Sequence, residues 1–208
     1  MIEELEEILK QLGVTIETVK EKLVTIGREE YVKSLLNPTR QPPVHYNHCY
    51  FAMASLVLKG VKNILEIGTR DFGSAAVFSD LFPEATVYTI DVRSRDKYSS
   101  DHDNIKFIKS NSFFLPSLKL PEEFEIIFVD GEHVFPAVAW DISFAYACVA
   151  KGGFLFIRDY EVERLSDNDV KITVEYIRNR ILEDILLLPE YADPQLQNGR
   201  MACVRKVR

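Results

Sequence analysis

The stretch Glu66-Ile67-Gly68-Thr69-Arg70-Asp71-Phe72-Gly73-Ser74 decides the fold. The apolar run 64–67 reads as a short buried strand, two glycines then break it, and a helical pattern opens near Ser74. A strand that turns on glycine into a helix is the opening unit of an alternating α/β chain. Glycine permits positive φ and close backbone approach, and a helix N-terminus offers unpaired N–H groups to a carboxylate. The spacing is GxxxxG, not the GxGxxG of a dinucleotide binder, and a capped strand-to-helix turn without any ligand would leave the same trace.

Working outward, the β-rich runs 85–90, 105–108, 124–129 and 154–157 follow at intervals long enough for crossover helices. This alternation implies a doubly wound, mostly parallel sheet. A helix is expected over 170–182, and then two consecutive strands, 184–189 and 200–207, close the chain as an antiparallel hairpin, seven strands in all. Upstream, Ile2, Leu5, Ile8, Leu9 and Leu12 recur at helical spacing up to Gly13. Thr15 can cap a second helix carrying Ile16, Val19, Leu23 and Ile26, and a third, 28–36, stops at Asn37-Pro38 before an extended crossing at Pro42-Pro43. Residues 1–44 therefore read as a helical extension, a lid or dimerisation arm, ahead of an α/β domain over 45–208. A helical layer that merely covers one sheet edge fits the pattern equally well.

The 208 residues are 47% hydrophobic and 27% charged, with Gly and Pro at 9 each, which excludes disordered and collagenous classes. A net charge of −7 gives no overall attraction to phosphate backbones or anionic membrane, so neither nucleic acid nor membrane is an expected partner. No apolar run approaches the roughly 18 residues of a membrane span, and the acidic start Met1-Ile2-Glu3-Glu4 is unlike a signal peptide. A cytoplasmic protein with Cys49, Cys148 and Cys203 as reduced thiols is the expectation.

In open α/β sheets, ligands bind at the carboxyl ends of strands, which gives the residues there their weight. Asp91 ends the second run, where a carboxylate can accept from both hydroxyls of a ribose, although a solvated loop aspartate is the plainer alternative. Asn111 and Ser112 follow the third run, where they can read an adenine edge or simply make a turn. Val129-Asp130-Gly131-Glu132-His133 ends the fourth, and Arg158-Asp159-Tyr160 the fifth. Asp130 and Asp159 would then end adjacent strands, close enough to share a divalent cation or to poise a substrate hydroxyl. His133 has the pKa range of a general base, and structural capping is the alternative for it and Asp130. His45, His48 and His102 read as surface or packing residues, with His48 also placed to line the mouth of the site.

Together these residues resemble the class I S-adenosylmethionine-dependent methyltransferases over about 61–208. The string from Asp130-Gly131-Glu132-His133 through Asp141 to Lys151-Gly152-Gly153 and Asp159-Tyr160 resembles their small-molecule, macrocin-type O-methyltransferase branch. The resemblance implies a Rossmann-like seven-stranded sheet with an antiparallel final hairpin. It assigns Glu66, Gly68, Thr69, Gly73 and Ser74 to the methionine end of the cofactor, Asp91 to its ribose, and Asn111 and Ser112 to adenine. Asp130 is also expected among the cofactor-binding residues, and Asp130, His133 and Asp159 are expected to carry catalysis. It further implies methyl transfer to a small molecule, at a hydroxyl oxygen, by a chain that can form a homodimer. Metal-using members hold Mg2+ at the positions of Asp130 and Asp159 with a further acid or amide beside the second, where this chain has Arg158 and Tyr160. Three other readings compete: a nicotinamide oxidoreductase, which the glycine spacing opposes; a nucleic-acid methyltransferase, which the acidic balance opposes; and a catalytically inactive methyltransferase-like cofactor-binding or interaction protein.

Overall fold

A computed structural model describes residues 2–36, 47–93, 102–161, 168–181, 183–189 and 200–207. Three helices lead the chain: α1 (Ile2–Gln11), α2 (Ile16–Thr25) and α3 (Glu29–Leu36). The Thr15 hydroxyl accepts from the Thr18 amide and the Thr18 hydroxyl from the Thr15 amide, so a reciprocal cap starts α2 where the sequence places it. Then come α4 (Asn47–Val57), β1 (Asn63–Ile67), α5 (Gly73–Leu81), β2 (Thr86–Asp91) and β3 (Ile105–Lys109). A short 3-10 helix (Ser112–Ser117), β4 (Phe124–Val129), α6 (Ala137–Cys148), β5 (Val149–Glu161), α7 (Asp169–Arg178), β6 (Ile185–Pro189) and β7 (Arg200–Arg205) complete it.

The seven strands form one sheet in the order β3-β2-β1-β4-β5-β7-β6. Pairings from β3 to β5 are parallel, and β7 runs antiparallel to both β5 and β6. The doubly wound sheet with an antiparallel final hairpin is the architecture expected from the sequence. One strand and one helix depart from their expected bounds, β5 starting five residues early at Val149 and α7 ending early at Arg178. The helix stops because Asn179 folds its side-chain amide back onto the Glu175 carbonyl.

Both faces of the sheet are buried, with period two along each central strand. Ile64, Ile126, Phe128, Phe154 and Phe156 face one cluster, whereas Leu65, Ile67, Ile127, Val129, Leu155 and Ile157 face the other. The first cluster includes Leu5, Leu9, Val19 and Leu23 of α1 and α2, packed with Phe51 of α4 and Phe78 of α5. Arg28 pairs with Asp80 at 3.0 Å and Arg200 with Glu4 at 2.6 Å, tying the leading helices to α5 and to β7. The leading helices thus form part of the core on that face; the boundary expected at residue 44 lies outside the described residues.

Candidate functional site

The order of strands reverses between β1 and β4, and the cleft opens over their carboxyl ends, as a doubly wound sheet requires. It encloses about 370 Å³ and is lined from four strand-end segments and α6 by Gly68, Arg70, Asp91, Asn111, Ser112, Asp130, Glu132 and Asp141 among others. Such a volume is within the roughly 300–1,000 Å³ of small-molecule sites.

Gly68 holds φ at +100°, and a Cβ there would run into the Asp130 carbonyl. The glycine is therefore required first by the close approach of the β1 and β4 tips, where the Asp130 amide also donates to the Ile67 carbonyl at 2.8 Å. Arg70 and Phe72 take positive φ as well, +49° and +63°; the Phe72 side chain gives α5 no cap, and the Gly73 amide donates to Asp71 Oδ1 at 3.4 Å. The next strand tip meets this turn: Asp91 accepts from the Arg70 amide at 3.0 Å and from the Arg93 amide at 2.8 Å, which fixes its carboxylate in the cleft.

Of the residues expected at a cofactor, Gly68, Asp91, Asn111, Ser112 and Asp130 line the cleft. Glu66, Thr69, Gly73 and Ser74 do not. The β1–β2 register sets Glu66 against Thr89, whose hydroxyl donates to the carboxyl, and Thr89 meets the Thr69 hydroxyl at 2.7 Å. This buried chain supports the turn from beneath; burial pushes the Glu66 carboxyl up to about 8, against the Thr89 hydrogen bond. Asn111 accepts from the Phe113 amide at 2.9 Å, so its oxygen caps the 3-10 helix and the turn reading of this residue holds alongside its place in the lining.

Asp141 was not among the expected site residues. It is 1% exposed, lines the cleft, and has one carboxyl oxygen without a hydrogen-bond partner. Burial pushes its pKa up to about 6, with the Ser112 hydroxyl opposing. Its signal in the sequence was an acid within an otherwise apolar helix, Ala137–Cys148.

Beyond Asp130 a charged cluster adjoins the cleft. His133 Nε2 lies 3.7 Å from Asp130 Oδ1, and Nδ1 lies 3.6 Å from Asp159 Oδ2. Nε2 is buried without a hydrogen-bond partner. The Asp130 carboxylate holds His133 above its ordinary pKa; burial opposes this and Asp159 adds to it. Arg158 Nη1 donates to Asp130 Oδ2 at 2.7 Å. His48 is elsewhere, buried against Tyr31 and Phe51, and Tyr50 lies in the core, while the Tyr160 hydroxyl donates to Glu175 at 2.5 Å. His45 and Tyr46 lie outside the described residues.

The cluster bears directly on the Mg2+ expected at Asp130 and Asp159. Asp130, His133 and Asp159 each offer a donor atom within 4.8 Å of the others. Mg2+ demands near-octahedral oxygen ligation, but here the third donor is an imidazole and one carboxylate is already paired with a guanidinium. These residues do not fit Mg2+.

Residues 65–160 match a family model described as a methyltransferase domain. The uncharacterized protein R132 of Acanthamoeba polyphaga mimivirus is 26% identical, the match covering 79% of this chain and 78% of that protein. Among solved structures, the MycE methyltransferase of mycinamycin biosynthesis, in complex with Mg, S-adenosylhomocysteine and mycinamycin VI, superposes with a TM-score of 0.60 at 16% identity. That match covers 92% of this chain, which spans only 55% of MycE. The O-methyltransferase TomG of Streptomyces achromogenes, in complex with S-adenosylmethionine, gives 0.59 at 17% identity, with 89% of this chain and 90% of TomG covered. An rRNA methylase from Streptococcus thermophilus also gives 0.59, at 16% identity, over 77% of this chain and 94% of that one. Likeness at such identities establishes the fold: the chain has the fold of these S-adenosylmethionine-dependent methyltransferases, and residues 65–160 within it are similar to the methyltransferase-domain model.

Proposed function

We propose that this chain transfers a methyl group from S-adenosylmethionine to a hydroxyl oxygen of a small molecule, acting in the cytoplasm and not on nucleic acid. One observation carries the reading: the cleft at the β1–β4 switch joins a ribose-type carboxylate, Asp91, to a histidine held between two aspartates. The donor fits these residues. Asp91 is fixed at the lip by two amides, and Asp141 keeps a buried oxygen without a partner at the Asn111–Ser112 end.

When bound, S-adenosylmethionine supplies an electrophilic methyl group on sulfur. The protein's part is alignment, exclusion of water and removal of one proton. Asp91 would accept from the ribose hydroxyls, Asn111, Ser112 and Asp141 would take the adenine end, and the turn at Gly68 would take the methionine end, supported from beneath by Glu66 and Thr69. His133 receives the proton of the acceptor hydroxyl. Asp130 and Asp159 orient the imidazole and stabilise it once charged.

The net charge of −7 supports a small acceptor over nucleic acid. The experiment is transfer of labelled methyl from S-adenosylmethionine into an extract separated into small-molecule, nucleic-acid and protein fractions. Label in the small-molecule fraction, lost with His133→Ala, is the expected result. Label confined to nucleic acid would overturn the acceptor class, and binding of S-adenosylhomocysteine without transfer to any fraction would favour a cofactor-binding protein without turnover.

A further inference from the structure

We infer that the Arg158 guanidinium is the resident cation of this site, standing among Asp130, His133 and Asp159 where a divalent ion would otherwise sit, so that the protein takes up no such ion there. The inference builds on the methyl-transfer reading only in its catalytic consequence, which is that the reaction needs no divalent metal.

Three metal-type donors from two adjacent strand ends come within 4.8 Å of one another, a separation at which an ion could bridge them. Arg158 enters the same space, with Nη1 at 2.7 Å from Asp130 and Nε at 3.9 Å from Asp159. All three side chains are mostly buried, Arg158 at 14%, Asp130 at 16% and Asp159 at 13% exposure, so water screens them little.

The backbone makes this possible by breaking its own alternation. Arg158 continues the Phe154 and Phe156 parity of β5, and in a regular strand Asp159 would point to the opposite face. Asp159 instead adopts φ +54°, and the β5–β7 register breaks between Ile157 and Glu161, so neighbouring residues 158 and 159 both reach the cluster. An aspartate held at positive φ persists because its surroundings fix it, here through the Asn168 side chain, which donates to the Tyr160 carbonyl at 2.9 Å.

Electrostatics then decides the occupancy. A guanidinium stays charged at every physiological pH, and a second cation placed between these carboxylates would lie within a few ångströms of it. The two aspartates and the guanidinium together carry one negative charge, too little to offset desolvation of a doubly charged ion against a fixed positive neighbour.

The test is titration of the full chain with Mn2+ followed by electron paramagnetic resonance, on the wild type, on Asp130→Asn, on Arg158→Gln, and on Arg158→Gln combined with Asp130→Asn. The wild type should take up no Mn2+ at micromolar concentration and should retain its methyl transfer in EDTA. Arg158→Gln should bind Mn2+ about tenfold or more tightly than the wild type, the scale set by removing one like charge a few ångströms away, and the added Asp130→Asn should abolish the gain. Micromolar uptake by the wild type that Asp130→Asn removes would overturn the inference, as would an Arg158→Gln protein with no gain. The wild-type titration decides the matter even if the variant does not fold. Failure of the methyl-transfer reading would show separately, as absence of S-adenosylhomocysteine binding, because the Mn2+ measurement involves neither donor nor acceptor.

Discussion

His133 acts as a base only when neutral, and Asp130 with Asp159 beside it hold its pKa above the ordinary 6.5. With the acceptor saturating, the rate of the proposed transfer should climb with pH through a value above 6.5 and level off beyond it, read from a kcat–pH profile. His133→Ala should lower kcat by about 10²–10⁴-fold while S-adenosylhomocysteine affinity stays within about twofold. Equal loss of both would make His133 a structural cap. Glu66 has a different signature. Its carboxyl titrates near 8 in the fold and near 4.5 unfolded, so between those values the unfolded chain has already released a proton that the folded one retains. Stability should therefore fall as pH rises from about 5 to 8, by on the order of 3 kcal/mol from this group. Glu66→Gln should flatten that fall in urea unfolding; parallel curves for the two proteins would show Glu66 already ionised in the fold.

At the scale of elements, the question is what the leading helices do. Leu23 is 0% exposed, in the cluster that also holds Phe51 and Phe78, so α2 shares the core of the sheet. Leu23→Ala should cost about 2–5 kcal/mol in a single cooperative transition. A cost below about 1 kcal/mol would mean a detachable arm. The periodicity of Ile16, Val19 and Leu23 told which face of α2 is apolar but not what covers it, because an amphipathic pattern names no partner. Strand ends were easier: Glu66 to Gly73, Asp91 and Asp130 all sit where alternating apolar runs stop, and those runs follow from the period-two burial of both sheet faces. The turn-in of β5 was not legible. Nothing in Ile157-Arg158-Asp159 signals a non-glycine residue at positive φ, so regular alternation left open whether Arg158 faced the site. Asp141 escaped because one acid in an apolar helix is silent about its direction until the helix is docked.

For the whole molecule, the strand order β3-β2-β1-β4-β5-β7-β6 places one switch point, and the tips of β1, β2, β3 and β4 converge on one cleft there. The −7 charge of the chain is not spread evenly over this site: Arg70 and Arg93 line the cleft beside Asp91, and Arg158 stands within the acidic cluster. A zwitterionic nucleoside with a cationic sulfur would meet both signs there. The central claim is that this cleft takes S-adenosylmethionine with Asp91 on its ribose. Its most direct measurement is calorimetric titration of the wild type and of Asp91→Ala with S-adenosylhomocysteine, with NAD as the control ligand. The account predicts saturable binding of S-adenosylhomocysteine and none of NAD, with Asp91→Ala weaker by about 1–3 kcal/mol through unpaired ribose hydroxyls. Absence of binding by a folded wild type, or equal affinity in the two proteins, would contradict it.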